Sequence, residues 1–310
     1  MMKSGMDLIS IHDLSAGDVE EILALAADLK VRQKAGIPHP LLAGKTLGMI
    51  FEKSSTRTRV SFEVGMYQLG GRALFLSSRD LQLGRGEPIA DTARVLSRYL
   101  DGIMIRTYGH ERIEELARWA DVPVINALSD LLHPCQALTD LLTIREHKGR
   151  LAGLKMAYVG DGNNMTHSLM YAAAKVGMHF AAATPAGYEP NEKVVQNARA
   201  DASETGASVT LTHDPKEAVR DADVVVTDTW ASMGQEEEHD ARTAVFRPYQ
   251  VNPELLAAAD ARAVVMHCLP AYRGEEITED VFESFANVIF DEAENRLHVQ
   301  KAIMALVMGG

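Results

Sequence analysis

The chain has 310 residues and a formal net charge of −12, from 31 basic and 43 acidic side chains, and 46% of it is apolar. That is the composition of a globular protein with room for about two ordinary domains, and the acidic balance argues against a broad nucleic-acid-binding face. Its apolar runs fall far short of the ~20 residues of a membrane span, and two cysteines, Cys135 and Cys268, make no disulfide framework.

The N-terminal MMKSGMDLISIHDLS lacks the apolar core and cleavage site of a secretion signal, so a reducing, cytoplasmic setting is expected. Strand- and helix-like segments then alternate. TLGMIF (46–51) reads as a strand running into a helix from Thr56 to Gly70-Gly71, with Ser54 or Ser55 as N-cap. Arg57 and Arg59 fall in its first turn, where the helix dipole disfavours a cation by roughly 0.3–1 kcal/mol. An anion held there by backbone N–H groups, hydroxyls and a guanidinium would account for them; two arginines pointing into water is the simpler alternative.

Further strands are expected at RALFLS (72–77), GIMIRT (102–107) and PVINAL (123–128), with helices over 89–100, 110–120 and 135–147. The Gly/Lys/Arg break HKGRLAG is the best domain boundary. The pattern restarts with LKMAYVG, HFAAAT, SVTLTH, ADVVVTD and AVVMHCL, with helices near 164–177, 191–205 and 278–284. DEAENRLHVQKAIMALVM predicts a long terminal helix that packs back across the first domain. Short apolar strands alternating with helices imply parallel sheets covered on both faces. The expected fold is α/β with two domains, each a parallel sheet flanked by helices. These run over 1–148, joined by a C-terminal helix of about 291–310, and over 149–290.

Ligands of open parallel sheets collect beyond the carboxyl ends of the strands. Ser55-Thr56-Arg57-Thr58, Arg106 and His133-Pro134-Cys135-Gln136 follow strands of the first half; Asn163-Asn164, Asp228 and His267-Cys268-Leu269-Pro270 follow those of the second. The first set suits an anion and the second an amine.

VGDGNNM (159–165) lacks the third glycine and the downstream acid of a dinucleotide fingerprint, and no G-x-x-x-x-G-K-[ST] occurs, so neither a nicotinamide cofactor nor an NTP-binding loop is expected. His133, Cys135, His267 and Cys268 resemble a zinc set, but adjacent strand residues point to opposite faces, so no metal is expected. Cys135 reads as a small buried hydrophobe, whereas Cys268 at a strand end reads as a ligand-facing thiol. WASMGQEEEHD (230–240) reads as a solvated loop or a lid beside Asp228.

Six segments in order, SSTRTRVSFE, LGRGEPIADTARVLSRY, HPCQALTDLLTI, GDGNN, DTWASMGQE and HCLPAYRG, make nearly the whole chain similar to the transcarbamoylase family, and within it to the ornithine branch. The resemblance implies transfer of the carbamoyl group of carbamoyl phosphate to the side-chain amine of L-ornithine, giving citrulline and phosphate. It implies a homotrimer, or a multiple of trimers, with active sites at subunit interfaces and no cofactor. By resemblance Ser55, Thr56, Arg57 and Thr58 cradle the phosphate, and Arg106 bridges phosphate and carbonyl oxygens. Thr58, Arg106 and His133 would polarise the carbonyl, with Pro134 and Cys135 beside them. Gln136 and the carbonyl of Leu269 would fix the carbamoyl NH₂, and Arg296 would add a contact. Gln82 would enter from a neighbouring subunit.

Asn164, Asp228, Ser232 and Met233 would surround ornithine, with Asp228 and Cys268 near the attacking amine. Either a Cys268 thiolate or the departing phosphate could take the amine proton. Aspartate, putrescine and acyl-ornithine acceptors are rival readings, as is a non-catalytic scaffold, and both directions of the reaction could use this site.

Overall fold

The computed structural model describes residues 2–77, 81, 86–231 and 239–309. The first half opens with α1 (Ala16–Lys34), β1 (Thr46–Phe51), α2 (Thr56–Gln68), β2 (Arg72–Ser77) and α3 (Ile89–Leu96). It continues through β3 (Gly102–Arg106), α4 (His110–Trp119), β4 (Val124–Leu128) and α5 (Pro134–Lys148). The second half begins with β5 (Lys155–Val159), α6 (Asn164–Lys175), β6 (His179–Ala183), α7 (Glu192–Thr205), β7 (Val209–Thr212) and α8 (Pro215–Val219). There follow β8 (Val224–Thr227), α9 (His239–Phe246), α10 (Pro253–Leu256), β9 (Val264–His267), α11 (Glu279–Ser284) and α12 (Ala286–Met308).

The chain divides into two compact units, Met1–Leu142 with Asn295–Gly310, and Thr143–Glu294. The first holds a sheet ordered β2-β1-β3-β4 and the second a sheet ordered β7-β6-β5-β8-β9. Every pairing between these strands is parallel. This is the α/β class expected from the alternating segments. The near-continuous apolar runs of β1, β3 and β4 are buried on both faces, as in a sheet covered on each side.

Local chemistry sets the element ends. Ser15 and Asp18 form a reciprocal capping box that starts α1, a helix the alternation reading passes over. Ser55 caps α2. Asn191 caps α7, which stops at Gly206 in the left-handed region. The expected helix over 89–100 ends instead at Leu96. Its last turn tightens to Arg98 N–H→Val95 and Tyr99 N–H→Leu96 bonds, and the Ser97 hydroxyl bonds back to the Ala93 carbonyl at 2.7 Å. Helix α5 ends at Lys148, just inside the HKGRLAG break. Its last turn is held within the second unit, where His147 meets Asp291 at 2.9 Å and Lys148 donates to the Arg262 carbonyl at 2.9 Å. Among the described residues no helix is long and apolar enough to cross a membrane.

The strand orders locate the switch points. From β1 the chain moves outward to β2 and then back across to β3, so the first sheet's switch point lies between β1 and β3. In the second sheet it lies between β5 and β8. A crevice opens at the carboxyl end of such a point.

Candidate active site

At the first switch point β1 ends at Phe51 and α2 begins five residues later. The Ser55 hydroxyl accepts the Thr58 N–H at 3.2 Å and donates to Thr58 Oγ1 at 3.1 Å. No acid occupies the first turn of α2. The two arginines of this turn divide. Arg59 pairs with Glu63 at 3.1 Å and lies 3.8 Å from the centre of the Phe75 ring, whereas Arg57 adds its positive charge to the field at His133. A pocket at this strand end is lined by Glu52, Ser54, Ser55, Thr56, Arg59 and Ser77 among others.

Arg106, the last residue of β3, is buried. The register with β4 shifts between Ile105 and Arg106, so Arg106 stands opposite Leu128; irregularities of this kind re-aim a side chain at a strand end. His133 lies just ahead of α5, whose first position is Pro134, where the missing N–H costs nothing. Burial, and then the charges of Arg296, Arg106 and Arg57, hold His133 well below the usual imidazole range, so it is neutral at pH 7. Arg296 of α12 donates to Thr58 Oγ1 at 2.9 Å and to Gln136 Oε1. Gln136 in turn donates to Asp140 at 2.8 Å. This chain of buried polar contacts joins α2, α12 and α5, and rigidifies all three. The Cys135 thiol donates to the Asn126 carbonyl at 3.4 Å, and burial pushes it up to about 12, which fits a packed, unreactive cysteine.

At the second switch point, Asn163 caps α6, its Oδ1 accepting from Met165 at 2.9 Å and Thr166 at 3.3 Å. Its Nδ2 donates to Asp228 Oδ2 at 3.3 Å. Asp228 follows β8 and accepts from its neighbour Thr229 N–H at 2.8 Å and from Cys268 Sγ at 3.2 Å. The strand-end pattern points to both Asn163 and Asn164, and the resemblance singles out Asn164, which opens α6 and whose carbonyl accepts from Ser168 at 2.8 Å. The side chain on Asp228 belongs to Asn163, and the N-cap rule applied to the first asparagine of the pair would have singled it out.

Two expectations need correction. Strand alternation would point His267 and Cys268 to opposite faces, but β9 ends at His267, and the chain turns through Leu269 at φ 58°. Ligand atoms of Asp228, His267 and Cys268 consequently lie within 4.8 Å of one another. His267 itself is committed to holding the turn. Its Nδ1 accepts the Leu269 N–H at 2.9 Å, which places the proton on Nε2, and Nε2 donates to Glu276 at 3.0 Å. The second correction concerns Trp230, read as the start of a solvated loop. It is buried, stacks on Phe246 with ring centres 6.2 Å apart, and its carbonyl accepts from Arg242 at 2.5 Å. His239 and Asp240, read into the same loop, already belong to α9. Gln82, Ser232 and Met233 lie outside the described residues.

The chain matches the family model described as aspartate/ornithine carbamoyltransferase, carbamoyl-P binding domain, over residues 6–146. Residues 152–307 match the model for the Asp/Orn binding domain of the same family. A Carboxydothermus hydrogenoformans protein called ornithine carbamoyltransferase is 63% identical over 305 residues, 98% of each chain. A Pyrococcus furiosus relative, called ornithine carbamoyltransferase, anabolic, is 59% identical over 307 residues, 99% of this chain and 98% of its own. The solved structure of ornithine carbamoyltransferase from Pyrococcus furiosus matches with a TM-score of 0.97 at 58% identity, covering 100% of this chain and 99% of that one. Two switch-point sites of opposite character, six motifs in order and matches across both units lead to one assignment: the chain belongs to the aspartate/ornithine carbamoyltransferase family.

Proposed function

We propose that the chain transfers the carbamoyl group of carbamoyl phosphate to the side-chain amine of L-ornithine, releasing L-citrulline and phosphate. The observation that carries this reading is the start of α2, a Ser55-capped, acid-free helix N-terminus beside a neutral, buried His133 and the guanidinium groups of Arg57, Arg106 and Arg296. A phosphate dianion is the ligand such a turn suits. The relative called anabolic favours the biosynthetic direction.

In this reading Ser55, Thr56, Arg57 and Thr58 hold the phosphate, with Arg296 fixing the Thr58 hydroxyl. Arg106 spans phosphate and carbonyl oxygens, and neutral His133 donates a hydrogen bond to the carbonyl as charge builds on it. Such donors are typically worth ~3–4 kcal/mol each in the barrier. Gln136 and the Leu269 carbonyl hold the carbamoyl NH₂, and Pro134 and Cys135 shape the turn that carries them. Asn164, Asp228, Ser232 and Met233 hold ornithine, and Gln82 completes the phosphate site from a neighbouring subunit of a homotrimer.

The amine nitrogen attacks the carbonyl carbon, and the tetrahedral adduct expels phosphate with the C–O electron pair. The attacking amine must be neutral, at a cost of about 4 kcal/mol near pH 7.5 for a lysine-like group. Cys268 already donates its thiol hydrogen toward Asp228. That favours the departing phosphate as proton acceptor, with Asp228 orienting the amine.

The test is citrulline formation from carbamoyl phosphate and ornithine, with aspartate, putrescine and N-acetylornithine alongside. Faster turnover of any of these than of ornithine overturns the acceptor. Arg106→Ala is expected to lower kcat/KM by about 10²–10³ or more with the fold retained; activity within threefold of the parent would remove Arg106 from the reaction.

A further inference from the structure

A carboxylate stands beside the proposed phosphate cradle. Glu52, the residue after β1, lines the pocket there beside Ser54, Ser55 and Thr56. A bare carboxylate there would repel a phosphate held at Ser55 and Thr56. It is not bare. Arg112, on the first turns of α4, grips it as a fork, Nη2 to Oε1 at 2.6 Å and Nε to Oε2 at 3.1 Å. The Thr107 hydroxyl donates to the same Oε2, and the Glu52 N–H donates to the Arg106 carbonyl at 2.9 Å. The connection that leaves β3 at Arg106 therefore supplies Thr107 to Glu52 and leads into the helix whose first turn carries the cation that cancels it.

Resting on the reading above, we propose that Arg112 is a positioning residue for carbamoyl phosphate: it neutralises Glu52 in the pocket wall and holds that carboxylate away from the phosphate. Arg112 does not line the pocket, and its side chain is one-third exposed. Its effect is electrostatic and acts through Glu52. A bidentate guanidinium pair fixes the direction of the carboxylate as well as its charge. The neighbouring cations are otherwise committed: Lys53 pairs with Asp130 at 3.0 Å and Arg59 with Glu63 at 3.1 Å.

The experiment compares Arg112→Gln, Arg112→Lys, Glu52→Gln and the Glu52→Gln/Arg112→Gln double variant with the parent. Steady-state kinetics report KM for carbamoyl phosphate, and calorimetry reports the Kd of inorganic phosphate. At low salt Arg112→Gln is expected to raise both by roughly five- to tenfold, with kcat within threefold. The variant-to-parent ratio should shrink toward one at 0.5 M KCl, because salt screens the uncovered charge. The double variant should return to within threefold of the parent, and Arg112→Lys, which keeps the charge but loses the fork, should fall between the parent and Arg112→Gln. Glu52→Gln alone should bind inorganic phosphate at least as tightly as the parent. This last variant serves even if Arg112→Gln folds poorly.

An unchanged KM and Kd for Arg112→Gln overturns the inference. So does a loss that salt does not relieve and the double variant does not rescue, which would make the pair a structural clamp. Weaker phosphate binding by Glu52→Gln counts against it in the same way. A parent that makes no citrulline defeats the proposed reaction instead, and the phosphate calorimetry still decides the role of Arg112.

Discussion

His133 sits in the field of Arg57, Arg106 and Arg296 and is buried, and both effects oppose its protonation. The sign for stability follows. Its folded pKa lies below the ordinary 6.5, so the unfolded chain takes up the proton first as pH falls. The contribution of His133 is fully present above about pH 6.5 and is lost below it. Imidazole nitrogen shifts are expected to report a ring that stays neutral as pH falls from 8 through the ordinary histidine midpoint; a midpoint near 6.5 would place His133 outside the arginine field. At this scale the sequence was most informative where a residue type conflicts with its position. Arginines at a helix start, and an arginine ending an apolar strand, are visible without coordinates. The Glu52–Arg112 pair is not, because neither residue is odd where it stands and only the fold brings 52 and 112 together.

Helix α9 follows Trp230 and the residues outside the described set, and its Arg242 is what ties it down. Arg242 is buried, donates to the Trp230 carbonyl and to Asp161 Oδ2, and lies 4.9 and 5.1 Å from the ring centres of Tyr188 and Phe246. Burial raises Asp161 to about 6, outweighing the opposing pull of Arg242. An aspartate raised above its unfolded 3.8 stabilises the fold at low pH, and that contribution is lost as pH rises through about 6. Removing the guanidinium should cost about 3–5 kcal/mol, because a buried carboxylate is left uncompensated. Denaturant unfolding of Arg242→Ala should show a larger loss at pH 8 than at pH 5, where Asp161 can take a proton. Equal losses at both values would assign the effect to packing alone. The elements themselves were largely legible. Apolar strands announce themselves, as do Ser and Asn caps, whereas α1 was missed although its Ser15–Asp18 capping box stands in the sequence. Trp230 was misplaced because its acidic neighbours outweighed its own apolar bulk.

Over the whole molecule, the first unit keeps apolar surface at one edge. β2 is the edge strand of its sheet, and it exposes Leu74 and Phe75, while α2 exposes Val60 and Tyr67, the last at 81%. Exposed apolar side chains on adjacent elements, one of them an unpaired parallel edge, favour a protein contact there. Light scattering is expected to give about three times the 33.9 kDa of one chain. Tyr67→Glu with Leu74→Glu should shift that toward a single chain and lower activity with it. A parent that scatters as one chain, or a variant that stays assembled, would move the contact elsewhere. The sequence implied two parallel sheets, but strand order came only with the structure, since which strand crosses back depends on pairing that no local pattern records.

The polar chain from Thr58 through Arg296 to Gln136 also bears on how the protein is made. Thr58 and Arg296 are 238 residues apart, Lys30 and Asn295 are 265 apart, and Gly5 bonds to the Val307 carbonyl. The first unit is therefore completed by a segment that leaves the ribosome only after the whole of the second unit. A nascent chain that has already laid down Ser55 and Arg106 still lacks the guanidinium that fixes Thr58. Closing so large a loop costs little more than closing a moderate one, because the entropy grows only with the logarithm of length; the penalty is in waiting. Until α12 arrives, Gly65 of α2, which Leu297, Lys301 and Met304 cover, and the polar side chains of Thr58 and Gln136 lack that cover, a surface a chaperone would recognise.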